Sequence, residues 1–268
     1  MASDRNPQGR EMADESMVRN LAAQATAIWP QEEPLFRRYS PEMILDLGCG
    51  TGEITSRLVE LFPQAKAIGV DIIDAHLDLA RDRYAAYGDR LSFAHGDAFE
   101  LGYPDQTFDL AVCRHVLQSI PEPQKVLAEM IRVTRPGGWL HVLAEDYGMI
   151  SCASEELAKF WFEVPIQVAR SMNVDNHIGR HVYGHLQQLP VEDVRMDYVT
   201  IDPTRAPRSA LVGIFTAWRD GYVPVISQVT GMGEPTVKAI FDATIEEARS
   251  GFVAWTIPIA SARVSSVA

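Results

Sequence analysis

The stretch Ile44-Leu-Asp-Leu-Gly-Cys-Gly-Thr-Gly52 decides the fold of this 268-residue chain. An apolar run with an acid at its end, followed by a glycine at every second position, predicts a buried parallel strand that turns sharply into a helix. Glycine is needed at such a turn because a Cβ would forbid the backbone angles or hold a ligand away from the main chain. The stretch therefore predicts a ligand site at the end of a strand.

The spacing of these glycines separates two classes of ligand. A dinucleotide-binding loop has glycines at its first, third and sixth positions. Here Gly48, Gly50 and Gly52 occupy the first, third and fifth positions, and Glu53 occupies the sixth. A carboxylate at that helix N-terminus would repel a pyrophosphate. The loop therefore favours a ligand without phosphate and with a positive charge, such as S-adenosylmethionine.

Strands and helices alternate regularly over the next hundred residues. The apolar runs predict strands at 43–47, 66–70, 91–94, 108–113 and 139–144, and the segments between them predict helices at 53–62, 74–86 and 123–133. Strands joined by helices of about ten residues indicate right-handed βαβ units and a parallel sheet. Ligands of such sheets bind at the carboxyl ends of the strands, where the candidate site residues lie.

Residues 43–144 resemble the core of the class I S-adenosylmethionine-dependent methyltransferases. Within that family they are most similar to the small-molecule branch that includes the ubiquinone and menaquinone C-methyltransferases. The resemblance implies an α/β, Rossmann-like, seven-stranded sheet, mostly parallel with its last strand antiparallel, and a helical substrate cap. It also implies S-adenosyl-L-methionine as cofactor. We accordingly divide the chain into a helical lid (1–41), a cofactor-binding core (42–150), and a segment that forms the cap and completes the sheet (151–268).

The composition restricts the class of partner. A chain that is 47% hydrophobic and 22% charged is typical of a folded protein. Its net charge of −12 argues against nucleic acid and anionic lipid as partners. We find no apolar run long enough for a membrane span and no signal region, and the three cysteines suit a reducing cytoplasm. We predict no metal site, since the cysteines lack metal spacing and His177 and His185 would stand about 12 Å apart on a helix.

Two acids follow the second and third strands. Asp71 lies about twenty residues past the loop, where a carboxylate accepts hydrogen bonds from two ribose hydroxyls, and Ile72 would then contact the adenine. The family resemblance implies that Asp97 accepts from the adenine amino group while the backbone of Ala98 donates to a ring nitrogen. The alternatives are a helix cap at Asp71 and an ordinary Gly-Asp turn at Asp97.

The methionyl part of the cofactor would contact the loop itself. Gly48, Cys49 and Gly50 would bind it, with Cys49 as a small space-filling residue. Asp46 would either hold the turn or face the methionyl ammonium. Arg114 follows the fourth strand and would approach through backbone groups.

The segments on either side of the core are predicted in less detail. An apolar stripe predicts a helix from Asp14 to Ile28, ended by Trp29-Pro30 and followed by a short helical turn over 34–39. Trp29 would close over the cofactor, or would only pack against neighbouring residues and end the helix. Beyond Asp146 the patterns predict helices at 151–172, 179–189, 207–220 and 234–249, and strands at 194–201 and 252–260, the last broken by Pro258.

Four residues are candidates for catalysis. His115 follows the fourth strand, where the quinone C-methyltransferases have a similar histidine, and it would accept a proton or be structural. Glu145 and Asp146 end the fifth strand and would orient an amine or indole N–H, act as a base, or only cap a helix. Tyr147 would donate to the substrate or close the pocket.

These features together predict a methyltransferase of specialised metabolism. The acceptor would be a small, aromatic or indole-like compound, methylated on carbon or nitrogen. The alternatives are O-methylation of a small metabolite, or a catalytically silent regulator that binds the cofactor. A homodimer that exchanges the N-terminal helix is compatible with the sequence.

Overall fold

The protein is described by a computed structural model that covers residues 5–7, 12 and 15–266. These residues form one sheet with helices on both sides. The strands are β1 Met43–Leu47, β2 Lys66–Asp71, β3 Leu91–His95, β4 Phe108–Arg114, β5 Thr134–Leu143, β6 Ile150–Cys152, β7 Val191–Ile201 and β8 Val253–Val264. The helices are α1 Glu15–Phe36, α2 Glu53–Leu61, α3 Asp74–Tyr84, α4 Pro123–Val133, α5 Glu155–Met172, α6 Ile178–Leu186, α7 Arg208–Thr230 and α8 Glu234–Ser250.

The sheet confirms the predicted fold class. The strand order is β3-β2-β1-β4-β5-β8, and β1 to β5 run parallel while β8 is antiparallel to β5. β7 pairs along the other edge of β8 and is antiparallel to it. The sheet has eight strands rather than seven because the short strand β6 also pairs with β8, beyond the end of β5.

The core strands are buried because they lie between helices. Ile44, Leu45, Leu110, Ala111 and Val112 are all fully buried, as expected for central strands of a parallel sheet covered on both faces. Parallel pairing aligns the carboxyl ends of β1, β2, β3 and β4 at one edge of the sheet. The glycine loop and the polar residues that follow these strands are thereby brought together.

The prediction that Trp29-Pro30 ends the first helix is wrong. The described part of α1 runs from Glu15 through Pro30 and Pro34 to Phe36, while Asp14 lies outside the described residues. A proline inside a helix removes a backbone hydrogen bond. Tertiary contacts compensate for this loss, since Glu32 and Phe36 are fully buried and Gln31 donates to the carbonyl of Thr200 at 2.8 Å.

Three other predicted boundaries also differ from the structure. Residues 150–152 pair with β8, so α5 begins only at Glu155. α7 continues ten residues beyond the predicted end, through Pro224 to Thr230. β8 is not broken at Pro258, because its other edge pairs with β7 throughout that region. At residues 150–152 and at Pro258, pairing with a strand distant in sequence overrides the locally preferred structure.

The segment after β5 packs into an aromatic cluster on one face of the sheet. Its members are buried side chains of α5, α7, α8, β8 and the turn after β5, including Tyr147, Trp161, Trp218, Phe241 and Trp255. Within the described ranges no helix is both long and apolar enough to cross a membrane. The division of the chain into lid, core and cap stays a prediction.

Candidate active site

The glycine loop adopts the backbone that the sequence predicts. Gly48 and Gly50 have φ angles of 72° and 52°, in the left-handed region that favours glycine. The space around them is also closed, since a Cβ on Gly48 would lie 2.2 Å from Val116 Cγ2 and one on Gly50 would lie 2.6 Å from Leu21 Cδ1. The left-handed backbone that the sequence suggested is therefore confirmed, and contact with neighbouring side chains is a further reason for glycine at both positions.

A cleft of about 810 Å³, counting the space that opens to solvent, lies at this edge of the sheet. The sequence-predicted cofactor residues on its walls are Gly48, Gly50, Asp71, Ile72, Asp97, Ala98 and Arg114. These residues come from four separate strand ends. The structure thus brings together most of the predicted cofactor-binding set.

Asp71 is fixed by the loop that it faces. One carboxylate oxygen accepts from the backbone N–H of Gly50 at 2.8 Å, and the other accepts from that of Ile73 at 2.9 Å. A carboxylate has about four acceptor positions, so two hydrogen bonds leave capacity for a diol. Ile72 beside it is 41% exposed, an apolar surface at the rim of the cleft.

Asp97 lies in the turn that was weighed as an alternative, and its binding role stays a prediction. Its carboxylate accepts from the backbone N–H of Phe99 at 2.9 Å, which is a turn contact. It also forms an ion pair with Arg5, whose guanidinium lies 5.3 Å from the Phe99 ring centroid. Arg5 and Asn6 therefore lie at the cleft, beside Asp97.

A second, inner pocket adjoins the glycine loop, with a volume of about 350 Å³ when the space that opens to solvent is counted. Asp46, Cys49, Arg114 and His115 line it. The Asp46 carboxylate accepts from the Thr55 hydroxyl at 2.6 Å, and burial raises its pKa to about 6. Burial raises the pKa of the Cys49 thiol well above its ordinary value, which agrees with a space-filling role.

The side chain of Arg114 makes contacts that the sequence did not predict, while the expected role of its backbone stays a prediction. Its side chain is buried, and its Nε donates to Glu32 Oε1 at 2.9 Å. Glu32 in turn lies 3.0 Å from His141 Nε2, and Tyr39 lies 3.2 Å from His141 Nδ1. Burial would raise the pKa of Glu32, but Arg114 and His141 outweigh it and bring that pKa to about 2.

His115 occupies the position where the cleft and the inner pocket meet. Its φ of 57° is uncommon for a residue other than glycine, and such conformations concentrate at functional sites. Its Nδ1 forms a hydrogen bond with Glu145, while its Nε2 is buried without a partner among the described residues. Gln24 of α1 also approaches Glu145, at 3.4 Å.

Asp146 and Tyr147 lie away from both pockets. Asp146 is fully buried, and Arg180 binds both of its oxygens at 2.6 and 2.7 Å, which anchors α6. The Tyr147 ring stacks with Trp255 at 6.1 Å and meets Trp218 edge-on at 5.3 Å. Neither side chain lines either pocket, so a catalytic role for Asp146 and Tyr147 stays a prediction and they are not part of the proposed catalytic set.

Trp29 is also placed outside the cleft. Its ring packs 5.6 Å from that of Phe36, and the Arg57 guanidinium lies 5.8 Å from its centroid. These contacts join α1 to α2. They correspond to the packing alternative rather than to closure over the cofactor.

Sequence reasoning missed Glu32, His141 and Gln24. A signal was present, because Asn20, Gln24 and Glu32 recur at multiples of four residues and so share one face of a helix. The predicted break at Trp29-Pro30 hid this stripe. Among the residues that the structure describes, no group of three or more histidine, cysteine, aspartate or glutamate side chains is arranged to hold a metal ion.

Comparisons with known proteins agree with this geometry. The sequence model of the family described as "Methyltransferase domain" matches residues 40–185. Over 105 residues the chain is 39% identical to the demethylmenaquinone methyltransferase of Deinococcus radiodurans, covering 39% of this chain and 44% of that protein. Over 154 residues it is 27% identical to the ubiquinone/menaquinone biosynthesis C-methyltransferase of Pasteurella multocida, covering 56% and 58%. The matches thus span about half the length of these curated relatives.

A solved structure shares the fold at low sequence identity. The phosphoethanolamine N-methyltransferase 2 of Haemonchus contortus, solved in complex with S-adenosyl-L-methionine, aligns with a TM-score of 0.62. The alignment has 16% identity and covers 96% of this chain and 59% of that one. At this identity the likeness concerns the fold alone.

Proposed function

The chain belongs to the methyltransferase domain family, and from this premise we propose that it transfers a methyl group from S-adenosyl-L-methionine to a small-molecule acceptor. The observation that carries the proposal is the convergence of Gly48, Gly50, Asp71 and Asp97 on one cleft. The loop offers main-chain groups at close range, and the two acids offer acceptors without a donor. A nucleoside without phosphate fits this set, and the quoted relatives are themselves named as methyltransferases.

The residues around the cleft suit proton removal from the acceptor. The bound cofactor supplies an electrophilic methyl group on a sulfonium, a good leaving group. Glu145 bonds to Nδ1 of His115 and so favours the tautomer in which Nε2 carries the lone pair. That Nε2 is buried and faces no other described partner, so it is free to accept a proton from an N–H or an activated C–H.

The surroundings of His115 favour a flat, apolar acceptor. Apolar side chains of Leu21, Val116 and Ile120 line the same cleft as His115. An apolar wall favours a flat, apolar ring over a strongly hydrated group. We therefore propose an aromatic or indole-like acceptor, methylated on carbon or nitrogen. The placement in specialised metabolism, the cytoplasmic location and the homodimer stay predictions.

The proposal is tested by binding and by transfer of label. Calorimetry with S-adenosylhomocysteine, the product form of the cofactor, should show binding at one site per chain. Tritium from methyl-labelled S-adenosylmethionine should appear in an organic-extractable product when indole or a hydroxylated bicyclic compound is supplied. The variant Asp71→Ala should lower the affinity for S-adenosylhomocysteine by about 10- to 150-fold, as expected for lost hydrogen bonds to a charged group.

The outcomes separate the alternatives. Absence of S-adenosylhomocysteine binding would overturn the cofactor assignment. Binding without label transfer to any compound of a metabolite extract would favour the silent regulator. Label found only on acceptor hydroxyl groups would favour the O-methyltransferase.

A further inference from the structure

The turn after β5 is held by residues at the start of α6. The backbone N–H of Gly179 donates to the carbonyl of Glu145 at 3.0 Å. The backbone N–H of Tyr147 donates in turn to the carbonyl of Asn176 at 3.1 Å. These two main-chain hydrogen bonds flank Asp146, so both ends of the turn are joined to one segment from later in the chain.

A buried ion pair closes the same junction. Asp146 is fully buried, and both of its carboxylate oxygens accept hydrogen bonds from Arg180 of α6, at 2.6 and 2.7 Å. One of these oxygens also accepts from the backbone N–H of Gly148 at 3.0 Å. Two-pronged contacts between a guanidinium and a carboxylate restrict direction as well as distance. Arg180 therefore fixes where the turn stands relative to α6.

Gly179 allows α6 to approach the end of β5 closely. A Cβ at this position would lie 2.6 Å from the carbonyl oxygen of Ala144 and 2.8 Å from Pro258 Cγ. Ala144 is itself held, because its N–H donates to the carbonyl of Pro258 at 3.1 Å. A residue larger than glycine would therefore push the start of α6 away from the turn.

The position of this turn matters because the turn carries Glu145. The carboxylate of Glu145 is buried and bonds to Nδ1 of His115. Gln24 approaches the same carboxylate at 3.4 Å, which is a long hydrogen bond and a weak restraint. The direction of the Glu145 side chain therefore depends mainly on where its backbone lies. A displacement of about 1 Å in a reacting group can slow a reaction by about 10²-fold.

We propose that Gly179 and Arg180 are positioning residues for proton removal. They hold the backbone of Glu145 where its carboxylate fixes the tautomer and the direction of the His115 ring. This inference rests on the proposed function, in which His115 accepts the proton. It gives the ion pair of Asp146 and Arg180 a role at a distance, since none of the described residues that line the cleft or the inner pocket belongs to α6.

Nuclear magnetic resonance of the histidine rings tests the proposal without an acceptor. In two-bond hydrogen–nitrogen spectra of the full chain at about pH 8, above the ordinary pKa of imidazole, His115 should show a protonated Nδ1 and an unprotonated Nε2. Its signals are identified by their loss in His115→Asn. In Arg180→Gln the two nitrogen shifts should move toward each other, because a displaced Glu145 no longer selects one tautomer. Gly179→Ala should produce the same change.

The same spectra contain the controls. His141 should keep its shifts, because its partner lies on α1, and a change at every histidine would indicate general unfolding. Arg219→Gln removes another interhelical ion pair, with Asp242 at 2.7 Å, and should leave the His115 signals unchanged. Arg180→Lys should show a smaller change than Arg180→Gln, because it restores the charge but not the fork. It decides the question if Arg180→Gln does not fold.

Methyl transfer provides a second measurement. With indole as acceptor and labelled S-adenosylmethionine, Arg180→Gln should lower kcat by about 10- to 100-fold. KM for the cofactor should change by less than about threefold, because no hydrogen bond to the cofactor is removed. In a Glu145→Ala background the same substitution should lower kcat by less than about threefold more, because its effect passes through Glu145.

The outcomes separate this inference from the proposed function. Unchanged His115 signals in Arg180→Gln and in Arg180→Lys, with the fold kept, would overturn the positioning role. An equal loss of kcat with and without Glu145 would overturn it as well. Failure of the parent protein to methylate any compound of a metabolite extract would instead overturn the proposed function.

Discussion

Two buried histidine–glutamate pairs lie on neighbouring strands and differ in what the second ring nitrogen contacts. His141 of β5 meets Glu32 through Nε2, and its Nδ1 lies 3.2 Å from the Tyr39 hydroxyl. His115 at the end of β4 meets Glu145 through Nδ1, and its Nε2 has no partner among the described residues. The residue types are the same, and both rings are mostly buried, with side-chain exposures of 9% for His115 and 1% for His141.

The surroundings account for the difference. The ring of His141 stacks on Phe36 at 4.0 Å, deep between α1 and the sheet, and burial lowers the pKa of His141. His115 stands where the strand ends, in a left-handed backbone conformation, on the wall of a cleft. Residue type and burial therefore do not separate a structural pair from a catalytic one. The buried Nε2 of His115 without a partner and the left-handed backbone of that residue make the distinction.

The strongest test of this comparison removes the nitrogen of His115. Asparagine tolerates the left-handed backbone, so His115→Asn should keep the local fold while eliminating the base. We expect kcat to fall by about 10²- to 10⁴-fold, the usual contribution of general base catalysis. Affinity for S-adenosylhomocysteine, measured by calorimetry, should change by less than about threefold. A loss confined to cofactor affinity would make His115 a binding residue.

The second test uses the low pKa of Glu32. Its pKa lies at about 2 in the folded chain, below its ordinary value near 4.5. A carboxyl group whose folded pKa is depressed stabilises the fold above pH 4.5, and this contribution is lost as the pH falls toward 2. The full contribution is on the order of 3 kcal/mol, and about 2 kcal/mol should be lost by pH 3.

Urea unfolding of the parent and Glu32→Gln at several pH values checks this expectation. The difference in their free energies of unfolding should be largest near pH 6 and should shrink toward pH 3. A difference that stays constant over that range would show that the pair does not hold Glu32 ionised.

A third test removes the structural histidine. His141→Gln should lower the free energy of unfolding by about 1 to 3 kcal/mol, because buried polar groups of Glu32 and Tyr39 lose their partner. At a temperature where the variant is folded, kcat should fall by less than about tenfold. The opposite pattern, a large fall in kcat with unchanged stability, would reverse the assignment of the two histidines.

The smallest effect is expected at Tyr147. Its ring packs between Trp255 and Trp218, and Tyr147→Phe keeps that ring. We expect kcat with the best acceptor to change by less than about threefold, measured by label transfer. A fall of a hundredfold or more would restore the catalytic role that the sequence suggested for this hydroxyl.

The sequence predicted the elements from β1 to β5 more accurately than it predicted helix α1. From β1 to β5 the elements follow the predicted order, because short apolar strands, glycine turns and helix ends are encoded locally. The cleft residues Asp71, Ile72 and Asp97 follow from the same local logic. At α1 the prediction was wrong, because Pro30 is a strong local signal and the contacts that override it come from β5 and β7.

The catalytic candidates show the same division. Sequence position placed His115, Glu145, Asp146 and Tyr147 at two adjacent strand ends, but it contained no information about side-chain direction. The structure joins His115 to Glu145 and turns Asp146 toward Arg180. The sequence did not predict that Arg180 of α6 would pair with Asp146, because the two residues lie 34 positions apart in the chain.

The sequence by itself determined the parallel sheet, the glycine turn and the acids beside it, because each depends on backbone preferences and on the fixed period of strands and helices. Only the tertiary structure decided which charges are paired. A buried charge takes its partner from whichever element packs against it, and the partners of Arg114 and Asp146 lie 82 and 34 residues away along the chain.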